Sequence, residues 1–382
     1  MPIPVNRPLL GKNELEYVSD CIRSGWISSA GPYLERFEAQ WASYCGRSFG
    51  VAVSSGTGAL QAAVASLGLD PGDEVIVPSF TIISCVTAIL DAGAKPVLVD
   101  CDEATWCIDP ALVAQRIGER TRAIMPVHIY GHPVDLDPLT ALASEHGLAL
   151  VEDAAEAHGA EYLSGREGDA SHWMRCGSFG DVSTFSFYAN KLVTTGEGGM
   201  VLTDDPERAA FLRRHRDLGF GSGRRFEHHE LGRNLRMTNL QAALGLAQIE
   251  RIDEIVARKR SIGAAYNEHL RGIDGLQLPA EKPWARSVYW MYAVVLDDPK
   301  FPDAETLGQK LRDVHQIETR PFFLGMHEQP ALRALGLFEG ERYPVTEKIA
   351  RRGLYLPSGL ALTGDEIAEV CSALQAELGS AR

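Results

Sequence analysis

Residues Phe185 to Met200 read F-S-F-Y-A-N-K-L-V-T-T-G-E-G-G-M, and the rest of the chain is organised around them. The apolar run with alternating hydroxyls that leads in, Val182 to Tyr188, predicts a buried strand. Thr194, Thr195 and Gly196 predict a bend, after which Gly198-Gly199 open a second strand, Met200 to Leu202. Lys191 therefore lies between two apolar strands. Burying an unpaired ammonium is costly, so a lysine held there tends to shed its proton. A neutral amine can condense with an aldehyde as a Schiff base. The plainer alternative is a lysine snorkelling out of a strand end.

Working outward, the segment from Phe49 to Asp153 alternates between two periods. Strands are expected at Val51–Ser54, Glu74–Val77, Pro96–Asp100, Arg122–Val127 and Leu148–Asp153. Helices are expected between them at Thr57–Gly68, Thr81–Ala92 and Leu136–His146. Strands separated by helices of this length predict an α/β fold with a mostly parallel central sheet. Ligands of such sheets gather beyond the carboxyl ends of the strands. Ser54–Thr57, Asp153–His158 and Lys191 all follow strand ends, so the topology predicts that they converge. Before this segment, helices are expected at 12–24 and Leu34–Cys45. The Trp-, Ser- and Gly-rich loop between them offers Trp26 and Ser28 as substrate contacts, or serves only as a connection.

Residues 160–183 read as a polar, glycine-rich excursion. A single long helix is expected from Thr238 towards Leu270, linking a large domain (1–250) to a small C-terminal α+β domain (251–382). In the latter, strands are expected at Met291–Leu296 and Ile317–Arg320, with helices at Asp303–His315 and Gly364–Leu378.

The chain has 382 residues, 45% of them hydrophobic, enough for a large core. Its formal charge is -14, with no basic tract resembling a nucleic-acid arm. Seven scattered cysteines without a C-x-x-C pair predict reduced thiols, neither a disulfide framework nor a metal site. No signal-peptide-like or membrane-spanning apolar run is present, so a cytoplasmic protein without a membrane partner is expected.

Ser54-Ser55-Gly56-Thr57-Gly58, between a strand and a helix, offers backbone N–H groups and hydroxyls as an anion cradle. Ser186 can add its hydroxyl. Each also has an ordinary reading, as a helix cap and a strand hydroxyl. Asp153, at the end of an apolar strand, can pair with a pyridine nitrogen and keep it protonated, or can cap a following helix. An amine, an anion cradle and such a carboxylate together point to pyridoxal 5'-phosphate.

Five motifs occur in order: G-x-A-V-S-S-G-T-x-A-L, P-S-F-T, V-E-D-A-A-E-A-H-G-A, F-S-F-Y-x-N-K-x-x-T-T-G-E-G-G and R-M-T-N. Together they resemble the DegT/DnrJ/EryC1/StrS sugar aminotransferases over nearly the whole chain. The resemblance implies a type I pyridoxal-phosphate aminotransferase fold, working as a homodimer with shared active sites. Position by position, Lys191 matches the cofactor-linked lysine and Asp153 the partner of the ring nitrogen. Gly56, Thr57 and Ser186 match phosphate ligands. Glu156 matches a residue beside the ring, and Asn234 one that reaches the neighbouring subunit's cofactor. Members that dehydrate sugars carry histidine where this chain has Lys191, so the resemblance implies amine transfer.

Two segments, V-H-I-Y-G-H-P-V-D-L-D-P and E-T-R-P-F-F-L-G-M-H-E-Q-P, resemble the GDP-perosamine synthase branch of that family. The second implies Arg320, Phe322 and His327 near a sugar; their ordinary readings are a strand end, a core aromatic and a surface histidine. The implied reaction moves the amino group of glutamate to the ketone of a 4-keto-6-deoxy nucleotide sugar. Alternatives are amination of an eight-carbon keto sugar acid and a non-catalytic cofactor-binding module. Two departures from the family stand out. The excursion at 163–176 is longer than usual, and Ile82 stands where some members place an aromatic over the ring.

Overall fold

The computed structural model describes residues 2–165, 171–221, 223–224 and 226–379. Two helices come first, α1 (Lys12–Ser24) and α2 (Pro32–Tyr44), the latter opened by a proline whose missing N–H costs nothing at a helix start. The alternation then runs β1 (Phe49–Val53), α3 (Gly56–Ala65), β2 (Glu74–Pro78), α4 (Ile83–Asp91), β3 (Lys95–Val99), α5 (Pro110–Ala114), β4 (Thr121–Ile124), α6 (Leu136–His146) and β5 (Ala149–Asp153). Four strands follow, β6 (Glu161–Ser164), β7 (His172–Arg175), β8 (Val182–Ser186) and β9 (Gly199–Thr203), and then α7 (Pro206–His215), α8 (Asn239–Ile249) and α9 (Ile252–Leu270). The remainder comprises β10 (Leu276–Gln277), β11 (Ala285–Arg286), β12 (Tyr292–Leu296), α10 (Ala304–His315), β13 (Arg320–Pro321), α11 (Pro330–Arg333), α12 (Pro344–Arg352), β14 (Gly353–Leu356) and α13 (Gly364–Gly379).

Seven strands form the central sheet in the order β1-β9-β8-β5-β4-β2-β3. Only β9 runs against its neighbours, so the expected α/β fold with a mostly parallel sheet is what the chain adopts. The central strands are buried on both faces, as parallel strands covered by helices must be. A four-stranded sheet, β10-β12-β14-β13, has its own apolar cluster around Tyr266, Tyr292, Leu307 and Leu374. The N-terminal arm reaches this second unit: Ile3 is buried in its cluster and bridges Ile317, and Arg7 pairs with Glu366 at 2.7 Å.

Two expectations are corrected, and one segment gains structure. The long helix from Thr238 to Leu270 is two helices, broken where Arg251 leaves helical geometry (φ -125°, ψ 23°) and the Glu250 carboxylate accepts from the Tyr17 hydroxyl. The strand at Ile317–Arg320 shrinks to β13, because Ile317 turns to bridge the N-terminal arm instead. Within the polar, glycine-rich excursion after 160, β6 and β7 pair as a hairpin, and β11 adds a third strand. That partner comes from more than a hundred residues away, which no local pattern announces. The excursion's residues 166–170 lie outside the described residues.

Candidate active site

Strand β8 ends at Ser186, and the chain then folds into a loop closed by a bridge between Tyr188 and Gly196. The Thr194 hydroxyl donates to the Phe187 carbonyl (3.0 Å) and accepts from Gly196 N–H (2.9 Å), so the predicted bend falls where expected. Gly196 has φ +80°, a region that favours glycine. His158 steadies the loop by accepting from Val193 N–H (3.2 Å). Burial first, and then the Lys191 charge, push His158 down to about 3, so it stays neutral.

Lys191 projects from this loop into a cavity of about 370 Å³. Its side chain is only 10% exposed. The ammonium lies 3.7 Å from Glu156 Oε1 and 3.4 Å from the centre of the Trp290 ring. Trp290 is fixed in turn by its indole N–H, which donates to the Asn190 carbonyl at 2.9 Å. Desolvation lowers the lysine's proton affinity below the ordinary value, and Glu156, then Asp153, oppose that fall. Burial also raises Glu156 above the usual carboxylate range.

Asp153 closes β5 and is 1% exposed. Its Oδ1 accepts from Ala155 N–H (3.0 Å) and its Oδ2 from the Cys85 thiol (3.3 Å). Turns follow it, so the helix-cap alternative is excluded. Burial raises the Asp153 carboxyl above its ordinary range. Three residues on, Glu156 Oε2 accepts from Tyr130 N–H (2.7 Å). Tyr130 sits in the left-handed region (φ +52°), and that conformation accompanies an amide donated to the acid.

Across the cavity lies the N-terminus of α3. Ser55 caps it by accepting from Gly58 N–H (3.0 Å), and the Thr57 hydroxyl is 2.8 Å from that of Ser84. A Cβ on Gly56 would come within 2.5 Å of Ser186 Cβ, so glycine alone lets the helix start approach the end of β8. A helix N-terminus with hydroxyls at one side, a buried carboxylate at another and an amine between them fit pyridoxal phosphate: phosphate, ring nitrogen and aldehyde each find a complementary group.

Gly56, Thr57, Asp153, Glu156, Ser186 and Lys191 thus share one cavity, and Ile82, 42% exposed, lines it as well. The other candidates lie elsewhere. Asn234 accepts from Arg236 Nε (3.1 Å) and does not line it. Trp26 and Ser28 pack against the start of α8, their carbonyls accepting from Asn239. Arg320 pairs across the strand with Tyr355, which does line the cavity, and so stands beside its rim.

Two expected sugar contacts are corrected. Phe322 is buried among Phe80, Trp106 and Tyr130, and its neighbour Phe323 faces the cavity in its place, because successive residues of an extended chain point to opposite sides. His327 is 1% exposed, packed edge-on against Tyr343 and 3.3 Å from Glu347 Oε1; it is a core histidine rather than a surface one. Sequence reasoning missed Trp290, Phe323, Tyr355, Tyr188 and Asn190. Tyr188 closes an expected strand and Trp290 stands just before one, and only the fold brings these side chains to the cavity.

Residues 8–375 match the model of the DegT/DnrJ/EryC1/StrS aminotransferase family. A GDP-perosamine synthase of Vibrio cholerae is 39% identical, covering 98% of each chain, and one of Caulobacter vibrioides is 41% identical, covering 97% of each. Among solved structures, the aminotransferase TlmJ of Streptoalloteichus hindustanus superposes with a TM-score of 0.89 at 33% identity, covering 99% of each chain. A match of this extent, over a cavity holding Lys191, Asp153 and Glu156, places the chain in the DegT/DnrJ/EryC1/StrS family of pyridoxal-phosphate-dependent sugar aminotransferases.

Proposed function

We propose that the chain transfers the amino group of glutamate to the ketone of a GDP-linked 4-keto-6-deoxy sugar, with pyridoxal phosphate as the carrier. The observation that carries this reading is the pair of GDP-perosamine synthases matched over 97–98% of both chains. Pyridoxal phosphate, when bound, supplies an aldehyde that takes up an amino group and a ring that spreads the electrons left when a Cα proton departs. On this reading Lys191 is the covalent anchor and moves the proton, acting in each half first as base and then as acid. Its low exposure and lowered proton affinity support that double role. Asp153 holds the proton on the ring nitrogen. Gly56, Thr57 and Ser186 hold the phosphate, and Glu156 stands beside the ring.

On the same reading the protein is a cytoplasmic homodimer. Asn234 serves the partner's site, and Trp26, Ser28 and Arg320 contact the sugar nucleotide. Two features support a dimer: Asn234 does not line its own chain's cavity, and Leu15, Ile22 and Leu231 expose 73%, 65% and 92% of their surface. Among the described residues, no helix is long and apolar enough to cross a membrane. We divide the chain into a cofactor-binding domain (1–250) and a small domain (251–382), a division supported by the helix break at Arg251. The test is incubation of purified protein and cofactor with glutamate and a panel of GDP-, dTDP- and UDP-linked 4-keto-6-deoxy sugars, following 2-oxoglutarate. Turnover with the GDP sugar is expected. Turnover only with a dTDP- or UDP-linked sugar, only with an eight-carbon keto sugar acid assayed alongside, or none at all, overturns the reading.

A further inference from the structure

Behind Asp153 lies a contact that none of these roles uses. Cys85, in the first turn of α4, is fully buried, and its thiol donates to Asp153 Oδ2 at 3.3 Å. Thr81 Oγ1 lies 3.2 Å from the same sulfur and is buried too. The directions of these bonds follow from proton counting. An ionised carboxylate only accepts, so the single thiol proton goes to Asp153. The sulfur is then left as an acceptor, and the Thr81 hydroxyl must donate to it. The result is a directed chain from Thr81 through Cys85 to Asp153. With Ala155 N–H on Oδ1, both carboxylate oxygens are gripped from behind while the group borders the cavity.

We propose that Cys85, backed by Thr81, is a positioning residue that fixes the orientation of Asp153 towards the cavity. The functional half of this inference rests on Asp153 being the partner of the ring nitrogen. Helix α4 also carries Ser84 near the anion side and begins directly after Ile82, so one helix start sets several walls of the cavity. Burial drives the Asp153 carboxyl towards its neutral form, and the thiol bond opposes this. A thiol is a weak donor, but bonds to a charged acceptor are stronger than neutral ones.

The contact can be read without cofactor. All seven cysteines are free and buried, so subtracting the infrared spectrum of cofactor-free Cys85→Ala from that of the wild type isolates one S–H stretching band. That band is expected at the low frequency of a thiol bonded to a carboxylate, moving upward in Asp153→Asn. In the loaded enzyme, Cys85→Ala is expected to lower kcat roughly threefold to tenfold with the KM for glutamate little changed. Cys85→Ser, which keeps a donor, should restore most of that loss. A band that does not move in Asp153→Asn overturns the contact. Equal losses in Cys85→Ser and Cys85→Ala overturn positioning in favour of packing. A full single-turnover rate with glutamate in Asp153→Asn overturns the role given to Asp153 instead, with the band shift still in place.

Discussion

At the scale of single residues, the site turns on two buried groups that each resist their charge. Lys191 and Glu156 sit 3.7 Å apart with side chains 10% and 7% exposed. Desolvation lowers the lysine and raises the acid, while each charge supports the other. The sign of a test follows directly. The Glu156 negative charge holds Lys191 up, so Glu156→Gln should let its titration fall further from the ordinary lysine value. In cofactor-free protein, reductive methylation of Lys191 should then reach half-maximal rate at lower pH than in the wild type, as read by mass spectrometry of its peptide. The amide can still accept from Tyr130 N–H, so the fold should persist. An unchanged or raised midpoint means the two groups do not interact.

At the scale of elements, precision comes from short irregular segments rather than from the strands themselves. The turn at Tyr130-Gly131 shows why. Tyr130 adopts a left-handed conformation and gives its amide to Glu156, while Gly131 has φ +94°. A Cβ on Gly131 would lie 2.7 Å from the backbone nitrogen of Trp290, whose ring faces Lys191. Gly131→Ala is therefore expected to cost about 1–3 kcal/mol of stability through backbone strain alone. It should also displace Trp290. Thermal unfolding measures the first effect, and a changed tryptophan fluorescence in the folded variant measures the second. Wild-type values for both would show that this turn is freely accommodating.

At the scale of the whole molecule, Asn234 is the informative residue, because it does not line the cavity of its own chain. If it completes the partner's site, Lys191→Ala and Asn234→Asp should each be inactive as homodimers, the second because a carboxylate repels the phosphate. Mixed and allowed to exchange subunits, they should form heterodimers in which one site carries both lesions and the other neither. Activity should return to about half the wild-type value per heterodimer, by counting intact sites. It should not return if the dimers are cross-linked before mixing. Exchange seen by mass labelling with no recovered activity assigns Asn234 to its own subunit or to no site.

What the sequence determined by itself is what depends on local pattern and short spacing. The strand–helix period, the bend at Thr194–Gly196, the cap at Ser55 and the strand-end positions of Asp153 and Lys191 were all legible, because each is fixed by neighbours a few residues away. Topology then made the strand-end residues converge, since a parallel sheet collects its strand ends on one edge. What only the tertiary structure decided involves partners distant in the chain. Trp290 beneath Lys191, Cys85 behind Asp153 and β11 on the β6–β7 hairpin belong here. So does the exchange of Phe322 for Phe323 at the cavity wall: adjacent phenylalanines of equal hydrophobicity differ only in which side of the backbone they occupy, and that is set by how β13 docks on β14.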